Sequence, residues 1–404
     1  MKKIITIITI LLIVLYLSFS LFLYKRPSEE NTISFASWGS QSELKILQEL
    51  ISDFEKENKI KVNLIHIPQN YFQKLHLLYA SNKEPDVIFI NNQNAPLYIN
   101  ADLLEDLTTY FPSAENTFNK EAINCFKKEG KLYAIPRDIS NLVLYYNKDI
   151  FKNRNIKFPE NIKDLKELQE LSLKVKTSDI WALNYEEEPL FWLYYLAANG
   201  GGVISDDKKE LIINKDASLS ALDFYSDLIK KYHLIPTKAD VGSMTSAQMF
   251  INQKIAMYLG GRWMFPIFSE TITFNWDTIP FPSDSKKKLY IDSSGWAISK
   301  KSKKKEESAK LIEYLSSSKS SIKFTQSGLI VPARKDSMET FLKNDKRNKA
   351  FIKMLENAKP TPVNKNYSKI NDILKEKSQT IFTQNTKAKY IFNNKTIEKL
   401  ERLL

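Results

Sequence analysis

Arg137, Asp138, Ser140 and Asn141 stand together in a short polar segment between two apolar, strand-like runs, residues 131–135 and 142–147. Guanidinium, carboxylate, hydroxyl and carboxamide in one place make a hydrogen-bonding fringe suited to a small polar molecule. Pro136 cannot donate to a sheet ladder and holds its predecessor extended, so the first strand is expected to stop there and the second to restart near Leu142. The segment therefore reads as a chain crossing between two lobes, with its polar residues at a cleft. Similar chemistry falls at the ends of other strand-like runs: Trp38 closing 33–38, Asn91 and Gln93 after 86–90, and Gly260, Gly261, Arg262 and Trp263 after 255–259. Arg is scarce beside Lys, yet Arg137, Arg262 and Arg334 all lie at strand ends or connectors, where a planar fork can recognise carboxylate or phosphate.

Catalytic and metal chemistry finds little support. Glu186-Glu187-Glu188 lies in a loop and is expected to be solvated, and neighbours in an extended loop do not face one another as an acid and base pair must. No Gly-x-Ser-x-Gly elbow and no His-Glu-x-x-His helix is present, and His66, His76 and His233 are isolated. Cys125 is the single cysteine, which excludes an intramolecular disulfide and a thiolate metal cluster. No metal, cofactor or catalytic residue is expected. The net charge of +12 comes mainly from scattered Lys, with no recognised module beside it, so nucleic-acid binding is not expected either.

The elements that position these residues follow from hydrophobic spacing. Residues 33–38 are β-prone, 39–42 supply a turn and cap, and Leu44, Leu47, Leu50, Ile51 and Phe54 recur as one helix face. Residues 61–67 alternate as a half-buried strand, 72–79 read as helix and 86–90 as a buried strand. Strand, helix, strand, helix, strand is an open α/β sheet, in which ligands meet the loops beyond the carboxyl ends of the strands. Later come helices at 165–171, 189–198, 217–228 and 247–252, strands at 181–185, 255–259 and 293–299, and a proline-punctuated extended piece at 276–282. A chain that revisits its first lobe after its second joins the two by several strands, which makes a hinge.

Ahead of all this, residues 4–24 carry no charge and are followed by Lys25-Arg26-Pro27. The run is long enough at ~1.5 Å per residue to cross a ~30 Å hydrocarbon core. Ser18-Phe-Ser20 is a poor cleavage site, so an uncleaved anchor with Lys2 and Lys3 inside is expected, a cleaved signal being the alternative. The chain of 404 residues, less this segment, fits two lobes.

An ordered series of motifs carries a resemblance over nearly the whole chain from Ile33. It runs through Pro85-Asp86-Val-Ile-Phe, Lys131-Leu-Tyr-Ala-Ile-Pro136 leading into Leu144-Tyr-Tyr-Asn-Lys-Asp149, and Asn199-Gly-Gly201. It continues through Met257-Tyr-Leu-Gly260-Gly-Arg-Trp263, Gly295-Trp296-Ala-Ile-Ser299 and Val331-Pro-Ala-Arg334-Lys-Asp336. The series resembles the extracellular solute-binding proteins of ATP-binding-cassette (ABC-type) carbohydrate importers, the group that includes maltose-binding protein. The leader departs from it by lacking a lipid-attachment cysteine.

The resemblance implies a two-lobed α/β periplasmic-binding-protein-like fold of type II, with open sheets flanked by helices and a multi-strand hinge. The boundaries expected are a signal or anchor helix at 1–30, one lobe at 31–139 with 278–316, and a second at 140–277 with 317–404. It further implies a monomer, held at or exported to the outer, periplasmic side of the cytoplasmic membrane, that closes on a carbohydrate and delivers it to permease transmembrane subunits. A sugar needs flat aromatic platforms and hydrogen-bonding groups. Candidate platforms are Trp38, Tyr145, Trp192, Trp263 and Trp296. Candidate polar contacts are Gln41, Asn91, Gln93, Arg137, Asp138, Arg262 and Arg334, with Gly260 and Gly261 bringing backbone amides to the cleft. Two alternatives stay open: an anionic polyol such as a glycerol phosphate as ligand, and a membrane-anchored glycoside hydrolase.

Overall fold

The computed structural model describes residues 31–404 apart from 161 and 285. The expected anchor helix at 1–30 lies outside the described residues. Among the described residues, no helix is long and apolar enough to cross a membrane.

Thirteen strands are described, and eleven of them form two sheets. They are β1 (Thr32–Ser37), β2 (Lys61–His66), β3 (Val87–Asn91), β4 (Lys127–Lys128), β5 (Lys131–Leu132), β6 (Ile135–Ser140) and β7 (Leu142–Asn147). Then come β8 (Trp181–Leu183), β9 (Ile255–Gly261), β10 (Trp276–Pro280), β11 (Leu289–Ile298), β12 (Val331–Pro332) and β13 (Ala358–Pro360). The first sheet has the order β12-β6-β11-β3-β1-β2, with β13 beside β11, and the second has the order β10-β7-β9-β8. β1 pairs in parallel with β2 and β3, while β11 runs antiparallel to β3 and β6. In the second sheet β7 lies antiparallel between β9 and β10.

The early spacing rules become structure directly. Residues 41–58 form a helix whose Leu47, Leu50, Ile51 and Phe54 are buried. Its start is fixed by a capping box: the Glu43 amide donates to Ser40 Oγ, and the Ser40 amide donates to the Glu43 carboxylate at 2.9 Å. β3 is apolar on both faces and buried over Val87–Ile90, as befits a central strand with cover on each side.

The crossing differs from expectation. Pro136 does not end a strand but lies second in β6, so Arg137, Asp138 and Ser140 belong to the strand and Asn141 alone joins β6 to β7. The proline is tolerated because the ladder is irregular there: β11 Ser294 faces Asp138 while Gly295 faces Pro136, leaving Arg137 as an extra residue. Gly295 is required opposite, since a Cβ on it would lie 2.2 Å from the Ile135 carbonyl oxygen.

Strand pairing also departs from the expected lobe boundaries. The division at 277/278 cuts β10, which belongs wholly to the second sheet. Residues beyond 316, expected with the second lobe, return first to the first sheet: the helix Ser318–Gln326 packs on the helix Gln41–Asn58, and β12 pairs with β6. The physical reason is that β6 would otherwise leave a polar edge uncovered.

Glu186, expected in a solvated loop, is instead largely enclosed, with its carboxyl beside Asn184, Ser246 and Tyr258. Burial pushes its pKa from 4.5 up to about 7, against the pull of hydrogen bonds from Asn184 and Ser246. The fold thus favours the protonated acid, so this group's stabilisation is complete below the unfolded value of 4.5 and is lost as pH rises towards about 7. Glu186→Gln is expected to raise the melting temperature more at pH 8 than at pH 5 relative to wild type; an equal difference at both pH values contradicts the assignment.

Candidate functional site

A cavity of about 530 Å³ opens where the two sheets meet. Its lining includes Trp38, Asn91, Gln93, Arg137, Asp138, Arg262 and Trp263 from among the residues expected at a cleft.

The first-sheet wall is built around the irregular ladder step. Consecutive strand residues ordinarily point to opposite faces, but the extra residue in β6 turns Arg137 onto Asp138. Arg137 Nε donates to Asp138 Oδ2 at 2.7 Å, Nη2 lies 2.5 Å from the same oxygen, and Nη1 lies 3.2 Å from Glu43 Oε1. Glu43 therefore serves twice, capping its helix with one oxygen and meeting Arg137 with the other. Asp138 also accepts from the Ser294 amide at 3.2 Å and from Ser294 Oγ at 2.7 Å. The guanidinium sits among the rings of Phe89, Trp296 and Phe324, with centroids 5.3–5.5 Å away. Burial works against its charge, yet Asp138 and Glu43 outweigh that and hold its pKa above the ordinary value.

Alongside lies a second polar group. Asn92 Nδ2 and Gln93 Nε2 donate to the two oxygens of Asp292 at 2.8 and 2.7 Å. Burial raises the Asp292 pKa while these donors and Thr361 pull it down. Asn91 Oδ1 accepts from the Asn94 amide at 3.0 Å, fixing the loop that carries Gln93. Aromatic residues complete the wall: Trp38 is 43 % exposed and tilts against Phe89 at 5.9 Å, and Phe89 is braced by Tyr71.

From the second sheet come Arg262 and Trp263, in a 3-10 turn at the end of β9. Trp263 is 37 % exposed, and its ring lies over Gly261, where a Cβ would come within 1.9 Å of it. A Cβ on Gly260 would similarly strike the Tyr258 ring at 2.4 Å. Both glycines are thus strand residues that leave room for rings, and neither lines the cavity.

The other expected site residues lie elsewhere. Tyr145 is fully buried in β7, donating to the Gly261 carbonyl at 2.8 Å, and Trp192 is buried against Phe382. Trp296 is buried in β11 against Phe35 and Phe89, so it forms the floor under Arg137 rather than a platform. Gln41 is exposed in the first helical turn and does not line the cavity. Arg334 also lies outside the lining, its Nε donating to both Asp336 oxygens at 2.9 Å and Nη1 to the Ser316 carbonyl at 3.0 Å.

Sequence reasoning missed Glu43, Tyr71, Phe89, Asp292 and Ser294. The Ser40-x-x-Glu43 spacing is a capping-box signal that marks Glu43. For Asp292 and Ser294, no local signal shows that β11 begins as early as Leu289.

A family model described as bacterial extracellular solute-binding protein matches residues 49–351. Maltodextrin-binding protein MdxE of Bacillus subtilis is 26% identical over 339 residues, covering 78% of this chain and 77% of that relative. Among solved structures, an ABC substrate-binding protein from Listeria monocytogenes in complex with cycloalternan aligns with TM-score 0.83 and 25% identity, over 92% of this chain and 98% of that one. A Thermus thermophilus maltotriose binding protein bound with maltotriose aligns with TM-score 0.77 and 21% identity, over 92% of this chain and 99% of that one.

Removing the central cation should be costly, because Glu43 and Asp138 would remain as buried carboxylates without it. Arg137→Ala is expected to lower stability by ~3–5 kcal/mol in urea denaturation. A loss under ~1 kcal/mol, the scale of a surface ion pair, contradicts the wall as described.

Proposed function

The chain belongs to the bacterial extracellular solute-binding proteins, and from that premise we propose that it captures a carbohydrate between its two sheets and delivers it to the transmembrane subunits of an ABC-type importer. The observation that carries this reading is the pair of partly exposed tryptophans, Trp38 from the first sheet and Trp263 from the second, on one cavity of about 530 Å³. Pyranose rings present apolar C–H faces that stack on such rings, and their hydroxyls need partners that Asn91, Gln93 and Asp138 can offer. The cavity size falls in the ordinary range for small-molecule sites, ~300–1,000 Å³. The relatives bound to maltotriose and cycloalternan support the same class of ligand.

The two sides of the cavity come from different sheets, so ligand binding rewards their approach, and the closed form is the one a permease can distinguish from the empty one. Such a role places the protein outside the cytoplasmic membrane, with the apolar run at 4–24 as its export signal or anchor.

Hydrolysis is the weaker reading. A glycoside hydrolase needs one carboxyl group that holds a proton and a second that is free to act as nucleophile or base. Glu43 and Asp138 are both engaged by Arg137, and Asp292 is occupied by two amides.

Calorimetry with maltooligosaccharides tests the proposal. Binding is expected, and Trp263→Ala or Trp38→Ala should each weaken it by ~1–3 kcal/mol, roughly five- to 150-fold. Gly261→Ala should weaken it too, although residue 261 does not line the cavity, because the new methyl displaces the Trp263 ring. Labelled oligosaccharides should be recovered intact. No binding across a broad saccharide panel, or shortened chains after incubation, counts against the proposal.

A further inference from the structure

Arg137, Arg262 and Arg334 share a side chain but not a situation. Arg137 is held by Glu43 and Asp138, and Arg334 by Asp336 outside the cavity. Arg262 lines the cavity and is only 5 % exposed, yet no carboxylate lies within ion-pair distance of it among the described residues. Its Nε and Nη1 have no hydrogen-bond partner.

The guanidinium is nevertheless held in a fixed plane. Its central carbon lies 3.5 Å from the Phe265 ring centroid, with Phe341 and Phe351 at 5.5 and 5.8 Å. Gly328 packs close by, since a Cβ there would lie 3.7 Å from Nη2. Phe265 is shared with Arg347, which stacks 4.7 Å from that ring and 3.7 Å from Trp276. Arg347 takes the nearby carboxylate for itself: its Nε and Nη2 donate to the two Asp345 oxygens at 2.9 and 2.5 Å. Burial pulls the Arg262 pKa down from its ordinary value to about 10, with Arg347 adding to the fall and Tyr145 and Asp345 opposing it. The group therefore still carries its charge at neutral pH.

A desolvated cation without a counter-ion is costly, and aromatic faces offset only part of that cost. The cost is rational where a ligand brings the missing anion, because a planar fork beside a stacking platform then selects an oxyanion on a ring. Trp263, the next residue, supplies that platform on the same cavity.

We propose that the saccharide taken by this protein is acidic, with a carboxylate or phosphate that pairs with Arg262 on the second-sheet wall while Trp263 stacks on the adjoining ring. This rests on the reading of the cavity as a carbohydrate site and adds the charge of the ligand. The neutral hydroxyls are left to the first-sheet wall, whose own charges Arg137, Glu43 and Asp138 are already tied to one another.

The test is calorimetric titration of the protein with maltotriose, a trisaccharide ending in glucuronic acid, and a maltose phosphate. At least one acidic probe should bind about tenfold or more tightly than maltotriose. That advantage should shrink as salt is raised, vanish in Arg262→Gln and be partly retained in Arg262→Lys, which keeps the cation but loses the fork. Comparing the glucuronic acid and phosphate probes identifies which oxyanion is read. Maltotriose binding as tightly as both acidic probes overturns the proposal while leaving the carbohydrate reading intact. An acidic preference that survives Arg262→Gln overturns it as well. Failure of all three probes to bind, together with the broader saccharide panel, overturns both. The wild-type comparison and its salt dependence decide the matter even if the glutamine variant does not fold.

Discussion

One residue, Asn141, separates the last position of β6 in one sheet from the first of β7 in the other. At ~3.3 Å of extension per residue, so short a link cannot let the two sheets move apart. It is also clamped: Asn141 Nδ2 donates to the Phe351 carbonyl at 2.8 Å. The Tyr194 hydroxyl accepts from the Leu142 amide at 2.8 Å and donates to the Tyr290 carbonyl at 2.7 Å, tying β7 to β11. Strands that leave one sheet and are pinned beside each other can bend together but cannot slide. A rotation about this seam would change the width of the cavity, which is lined from both sheets.

The two walls carry different kinds of work. In the first, the charges are paired before any ligand arrives, Arg137 with Glu43 and Asp138, and Asp292 accepts hydrogen bonds from Asn92 and Gln93. Such a wall loses little freedom on binding, which favours affinity. The second presents Trp263 over Gly261 and a cation without a partner. On the proposed reading, recognition is divided: prearranged hydrogen bonding from one sheet, stacking and an unmet charge from the other.

Much of this was legible in the sequence where the physics is local. The helix at 41–58 follows from a three-to-four spacing of Leu and Phe, β3 from an unbroken apolar run, and Trp38, Asn91 and Gln93 from lying at or just past strand ends. What stayed hidden depends on partners far along the chain. Pro136 reads as a strand stop, and only the bulge opposite Gly295 turns it into the device that aims Arg137. Trp192, Tyr145 and Trp296 have the residue type of a platform, but helix and sheet packing bury them completely, and a tryptophan's fate cannot be read from its neighbours in sequence. The three arginines looked alike in sequence; the carboxylates that distinguish Arg137 from Arg262 come from other elements, including the cap of a helix that begins at Gln41.

The central claim is that Trp38 and Trp263, held on separate sheets, come together on one ligand. Small-angle X-ray scattering on the protein with and without a saturating saccharide tests it most directly. The account requires a smaller radius of gyration in the bound state, with no change in the Trp38→Ala, Trp263→Ala double variant under the same conditions. A wild-type profile that is unchanged while calorimetry shows the ligand to be bound would contradict closure of the two sheets about the Asn141 seam.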